Sequence, residues 1–165
     1  TTLFRSKTEA IAKQFGARFI VTSEWSGFGA QKNIALSYAN CPWVLSIDAD
    51  ESLTPELRAE ILDVLEHPTY TGYFIPRQSY FLGKPVRYSG WYPDYVLRLF
   101  QRTQAKFSDS LVHERVLVEE PIGKLKHPLQ HYSYGNQQGW ECTQHKSLCS
   151  WVEIQRIFFG IFYIF

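Results

Sequence analysis

Carboxylates crowd together where an apolar run ends. In WVLSIDADES, Trp43 to Ser52, a stretch that looks like a buried strand gives way to Asp48, Asp50 and Glu51. Like charges this close repel one another and resist burial unless something compensates them. One reading is a strand that has reached the surface, with Asp50 or Ser52 capping a helix that begins near Pro55. The other is a divalent cation, which carboxylate oxygens bind together with the phosphates of a nucleotide.

Three more groups carry chemistry. LVHERV sets His113 beside Glu114 between two apolar runs. A neutral His can complete a metal shell, and the adjacent carboxylate can accept a proton or a sugar hydroxyl. On a strand such neighbours point to opposite faces, so only one of them reaches a shared ligand directly. GWYPDYVLRLF places Asp94 at the end of a Pro-punctuated loop and Arg98 on the strand after it. Arg98 could bind a phosphate bidentately or pair with Asp94. Trp91 and Tyr92 could stack on a sugar ring or simply pack. In AQKN, Ala30 to Asn33, backbone amides at a helix start favour anions and Lys32 adds a charge. A capped surface helix with a solvated Lys would read the same way. His131, in HYSY, is a weaker candidate and stays outside the site.

These residues need elements to position them. Residues 7–15 read as a helix closed by Gly16, followed by a strand over Ala17–Val21. SGFGAQKNIALSYAN reads as a Gly-containing loop feeding a helix near Ala30–Ala39. WVLSI is a short continuous apolar run, which suits a central strand of a parallel sheet. TPELRAEILDVLEH is a further helix, with Leu57, Ile61, Leu62 and Leu65 on one face. Helix and strand alternate to about His67, the pattern of an α/β layered domain. From Tyr70 onward, short β-like runs broken by Gly and Pro predict antiparallel strands and loops joined to that sheet.

Length and composition bound the rest. The 165 residues fit one domain, and 45% hydrophobic content supports a real core. A net charge of +1 argues against binding nucleic acid through bulk charge. Cys41, Cys142 and Cys149 follow no metal-ligand spacing and an odd number is a poor disulfide framework, which favours a reducing, cytoplasmic setting. The terminal IQRIFFGIFYIF is too short to span a bilayer, which takes about 20 residues. With Arg156 before it, it reads either as an interfacial segment or as a strand or helix without its packing partner.

The order GFGAQKNIAL, WVLSIDADE, GWYPDYVLRLF, VHERV, HYSY resembles family 2 glycosyltransferases, most nearly the bacterial glucosyltransferases that extend the lipopolysaccharide inner core. The resemblance covers residues 7–134, with 135–165 an irregular C-terminal segment. It implies an α/β, GT-A-like (Rossmann-like) mixed sheet with flanking helices. It also implies an enzyme that moves a sugar, expected to be glucose, from a nucleotide donor such as UDP-glucose to a glycolipid acceptor, with inversion. A magnesium or manganese ion would be held by Asp50 and His113. Gln31, Lys32, Asn33, Asp48 and Arg98 would bind the donor, and the catalytic carboxylates would be Asp94, first candidate for general base, and Glu114, the second. The expected setting is the cytoplasm or the inner face of the plasma membrane, with peripheral membrane contact and no nucleic-acid partner.

Members of the family usually open on a strand, an acidic and polar loop and a second strand that grip the nucleobase. This sequence opens on a helix, so the N-terminal strands are expected to be missing and the chain inactive alone. The alternatives are a polyprenyl-phosphate glycosyltransferase and a non-catalytic carbohydrate-binding domain built on the aromatic-rich half.

Overall fold

The computed structural model describes residues 12–14, 16–21, 26–48, 50–109, 114–134 and 161–162. Helix α1 spans Phe28–Ser37 and α2 spans Pro55–Glu66. The strands are β1 Trp43–Ile47, β2 Glu51–Leu53, β3 Gly72–Phe81, β4 Lys84–Pro85, β5 Asp94–Gln101, β6 Ala105–Phe107, β7 Val116–Val118, β8 Ile122–Lys124, β9 Leu129–Tyr134 and β10 Ile161–Phe162. One mixed sheet runs β10-β1-β5-β3-β9-β2, with β4 and β8 also on β3, while β6 and β7 pair separately.

The continuous apolar run of β1 is explained by burial on both faces. Trp43, Leu45 and Ile47 pack with Leu57 and Ile61 of α2. Val44 points the other way and packs with Leu36 of α1, Phe100 and Phe107. A strand covered by helices on both sides has no solvent face to alternate toward. The expected parallel surroundings of β1 are only half right. Its inner neighbour β5 runs antiparallel, and its parallel neighbour is β10, where Ser46 and Ile47 pair with Ile161 and Phe162. Those two C-terminal residues are a strand, but one with a packing partner, β1, contrary to the expectation of a strand or helix without one.

Two further element expectations change. Residues 17–21 form no regular structure, and Ile20 and Val21 are exposed, so apolar residues there lack the sheet neighbour that a strand requires. In the second half β3 pairs antiparallel with β5 but parallel with β8 and β9, so that half is not purely antiparallel. Strand direction depends on where the connections return, which local pattern does not encode.

Both helices have local causes. In α1, Gly29 lies so close to β6 that a Cβ built there would sit 1.9 Å from the Ser108 carbonyl oxygen. The missing side chain lets the first turn press on that strand, and the helix begins at Phe28 rather than at Ala30. The α2 N-cap is Thr54, whose Oγ1 accepts from the Leu57 amide at 3.1 Å, with Pro55 in the first turn. Asp50 and Ser52 are therefore not caps of α2. Leu57 and Ile61 are fully buried and Leu65 packs beside them as expected, with Val64 rather than Leu62 completing the face. The Glu60 carboxylate accepts the Lys126 and His127 amides at 2.9 Å each, tying α2 to the turn that leads into β9. No helix among the described residues is long and apolar enough to cross a membrane.

Candidate functional site

Asp48 and Asp50 follow the C-terminal end of β1, where open α/β sheets bind ligands. The compensation for their charge comes from three directions. Arg98, on β5, donates from Nη2 to Asp48 Oδ2 at 2.5 Å and to Glu51 Oε1 at 2.6 Å. Lys32, on α1, lies 3.5 Å from Asp48 Oδ1 and 2.7 Å from Glu114 Oε1. His131, on β9, brings Nε2 to 3.2 Å from Asp50 Oδ2.

Glu51 is fully buried at 0% exposure. Its Oε2 accepts the Asp48 amide at 3.0 Å, while its own amide donates to the Asp48 carbonyl at 3.0 Å. A carboxylate buried this deeply requires cations and hydrogen bonds around it. Arg98 is one such cation; Arg77, on β3, is the other at 3.6 Å. Arg77 also donates from Nε and Nη2 to Asp94 Oδ2 at 3.0 and 2.6 Å. Arg98 therefore does not pair with Asp94, because cross-strand register sets Arg77 opposite Asp94 instead.

Charge states follow from these contacts. Burial pushes the Asp48 carboxyl up, but the charges of Arg98 and Lys32 and their hydrogen bonds outweigh it and hold it below the usual carboxylate value. Burial also pushes Asp50 up, and the hydrogen bond and charge of His131 bring it down on balance. For Arg98 burial acts to lower the pKa, and Glu51 and Asp48 overcome it, so the guanidinium is more firmly charged than usual.

Beside these residues lies a cavity of about 430 Å³ lined by Arg77, Ser79, Ser89, Gly90, Trp91, Asp94 and His131. Ser89 and Gly90 turn its rim with φ of 61° and 75°. A left-handed Ser is strained, and such strain tends to collect at functional rims. Trp91 is half exposed there, able to stack on a ring, whereas Tyr92 does not line the cavity.

The structure thus brings together Lys32, Asp48, Asp50, Asp94, Arg98 and Glu114. His113 lies outside the described residues. Asn33 is engaged elsewhere: its side chain donates to the Phe107 carbonyl at 2.9 Å and accepts the Phe107 amide at 2.8 Å, docking α1 on β6. Gln31 sits half-buried in the first turn of α1. The solvated-Lys reading of Lys32 fails, since it is only 4% exposed.

Four site residues carry no role assigned from sequence: Arg77 and Ser79 go unnoticed, Glu51 is only the third of the crowded carboxylates, and His131 is wrongly placed outside the site. Register assembles them, with His131 opposite Glu51 on one side and opposite Ser79 on the other. The His131 Nδ1 contacts Ser79 Oγ at 3.1 Å, which orients the ring. For Arg77 and Ser79 the available signal was polar Arg-Gln-Ser inside the otherwise apolar GYFIPRQSYF.

Among the described residues no three His, Cys, Asp or Glu side chains cluster as a closed metal cage. A cation shared with a diphosphate needs less, since magnesium is commonly bound by one or two carboxylates plus phosphates and water. Asp50, one-third exposed at the end of β1, fits that role, while the Asp48 carboxylate is already engaged by Arg98 and Lys32.

The glycosyl transferase family 2 model matches residues 5–125. The chain belongs to that family. Its mixed sheet with flanking helices is accordingly an α/β, GT-A-like arrangement. This family 2 chain is 31% identical over 109 residues to the lipopolysaccharide core biosynthesis glycosyltransferase LpsC of Rhizobium meliloti, covering 62% of this chain and 38% of LpsC. It is 29% identical over 163 residues to a TPR repeat-containing protein of Synechococcus elongatus, covering 90% of this chain and 39% of that protein. An uncharacterized glycosyltransferase of Rickettsia felis is 50% identical over 54 residues, covering 33% of this chain and 19% of its own length. The chain therefore spans less than half the length of these relatives.

Proposed function

We propose that this chain carries the catalytic centre of an inverting glycosyltransferase that moves glucose from UDP-glucose to a lipopolysaccharide-core or related glycan acceptor. Family membership and the likeness to LpsC support the reaction class and the acceptor class. The observation that carries the reading is that Asp94, His131 and Trp91 line one cavity while Asp50 lies against His131 at the end of β1.

In this reading the acceptor sugar enters the cavity against Trp91. Asp94 takes the proton of its hydroxyl as the oxygen bonds to the anomeric carbon. The bond from that carbon to the diphosphate oxygen breaks, and its electron pair leaves with the nucleotide. Asp48 faces the donor. Asp50 would hold a magnesium or manganese ion that offsets charge on the departing diphosphate. Work on a lipid-linked acceptor would put the protein at the inner face of the plasma membrane.

Calorimetry with uridine diphosphate, with and without manganese, tests the donor side. With the family's N-terminal strands supplied, binding is expected to require manganese and to disappear in Asp50→Ala. Manganese-dependent binding that persists in that variant rules out Asp50 as the metal residue.

A further inference from the structure

Seven charged residues at the site form a single alternating row. It runs Glu114, Lys32, Asp48, Arg98, Glu51, Arg77, Asp94, with successive contacts of 2.7, 3.5, 2.5, 2.6, 3.6 and 2.6 Å. The row joins the two candidate bases and passes the donor-facing Asp48 on the way. Its least exposed member is Glu51, at 0%.

We propose that Glu51 is a positioning residue for sugar transfer: by holding Arg98 and Arg77 together, it fixes Asp48 on the donor side relative to Asp94 on the acceptor side. This rests on the roles of Asp48 and Asp94 in the proposed function. A group with no exposed surface touches no substrate, so it acts through its neighbours. Stability alone is a poor reason for the arrangement, because a buried ion pair is often no better than well-packed apolar residues. What buried charge does supply is geometry. Arg98 Nη2 is shared between Asp48 and Glu51, and the Asp48 and Glu51 backbones exchange hydrogen bonds with each other's carboxylate or carbonyl. Arg77 meets Glu51 with Nη1 and Asp94 with Nη2 and Nε. Moving Glu51 therefore moves both arginines, and both reacting sides shift. Misplacement by about 1 Å can cost on the order of 10²-fold in rate.

The test is Glu51→Gln, which keeps the side chain's shape and removes its charge. Nitrogen-15 spectra of the arginine guanidinium groups report the row without any need for turnover. In the folded variant the Arg98 and Arg77 signals are both expected to shift, with kcat down on the order of 10²-fold and the donor KM within about twofold. A folded variant in which the Arg77 signal stays put overturns the inference. So does a kcat loss matched by an equal loss of folded protein. Turnover is read with the family's N-terminal strands supplied; if no sugar is transferred then, the proposed function fails, and the guanidinium spectra alone still decide whether Glu51 couples the two arginines. If Glu51→Gln does not fold, Arg77→Met replaces it and is expected to shift the Arg98 signal through Glu51; an unmoved signal overturns the coupling.

Discussion

The two ends of the charged row live in different solvents. At the inner end Lys32 and Arg98 have side chains 5% and 10% exposed, set against Glu51 at 0%. At the outer end Arg77 and Asp94 are 26% and 41% exposed and open on the cavity. The same pairing of cation and carboxylate does different work in the two places. In the interior, removing one partner strands a charge that water cannot reach. At the rim, water screens the loss, so the pair contributes little to stability and its carboxylate is free for chemistry. The inner end holds the shape and the outer end opens on the cavity.

The largest expected effect breaks the inner end. Arg98→Met leaves Glu51 and Asp48 facing each other without their shared cation, and breaking a buried pair costs about 3–5 kcal/mol. Urea denaturation should show that loss, with Glu51→Gln in the same chain recovering part of it. No recovery would mean the damage lies in packing around Arg98 rather than in charge.

At the outer end Asp94→Asn should leave the urea midpoint nearly unchanged while turnover falls ~10²–10⁴-fold, the usual contribution of a general base. If Glu114→Gln produces that loss and Asp94→Asn does not, the two carboxylates exchange roles.

The smallest effect is in acid. Asp48 is held below its ordinary pKa in the folded protein, so its contribution to stability is complete above the unfolded value and is lost as pH falls through the lowered one. Asp48→Asn should flatten the acid end of the stability curve. An unchanged acid slope in that variant would show that Arg98 and Lys32 do not stabilise the Asp48 charge on balance.

Periodicity and order made much of the frame legible. The apolar WVLSI and the 3.6-residue pattern of TPELRAEILDVLEH announce β1 and α2 because each buries a face that its own residues define. The five motifs in series identify the family because their order needs no geometry. Strand direction was not legible, nor was the loss of the strand over residues 17–21, since both depend on which neighbour is present.

The sequence by itself determined that Asp48, Asp50 and Glu51 would need compensation, because repulsion between close carboxylates is a local fact. Only the tertiary structure decided who supplies it. Lys32 comes from α1, Arg98 from β5, Arg77 from β3 and His131 from β9, separated from Asp48 by as many as 83 positions and brought together by the packing of α1 for Lys32 and by strand register for the other three. Cross-strand pairing is set by the whole sheet, and a one-residue slip would turn each of the strand-borne side chains to the opposite face.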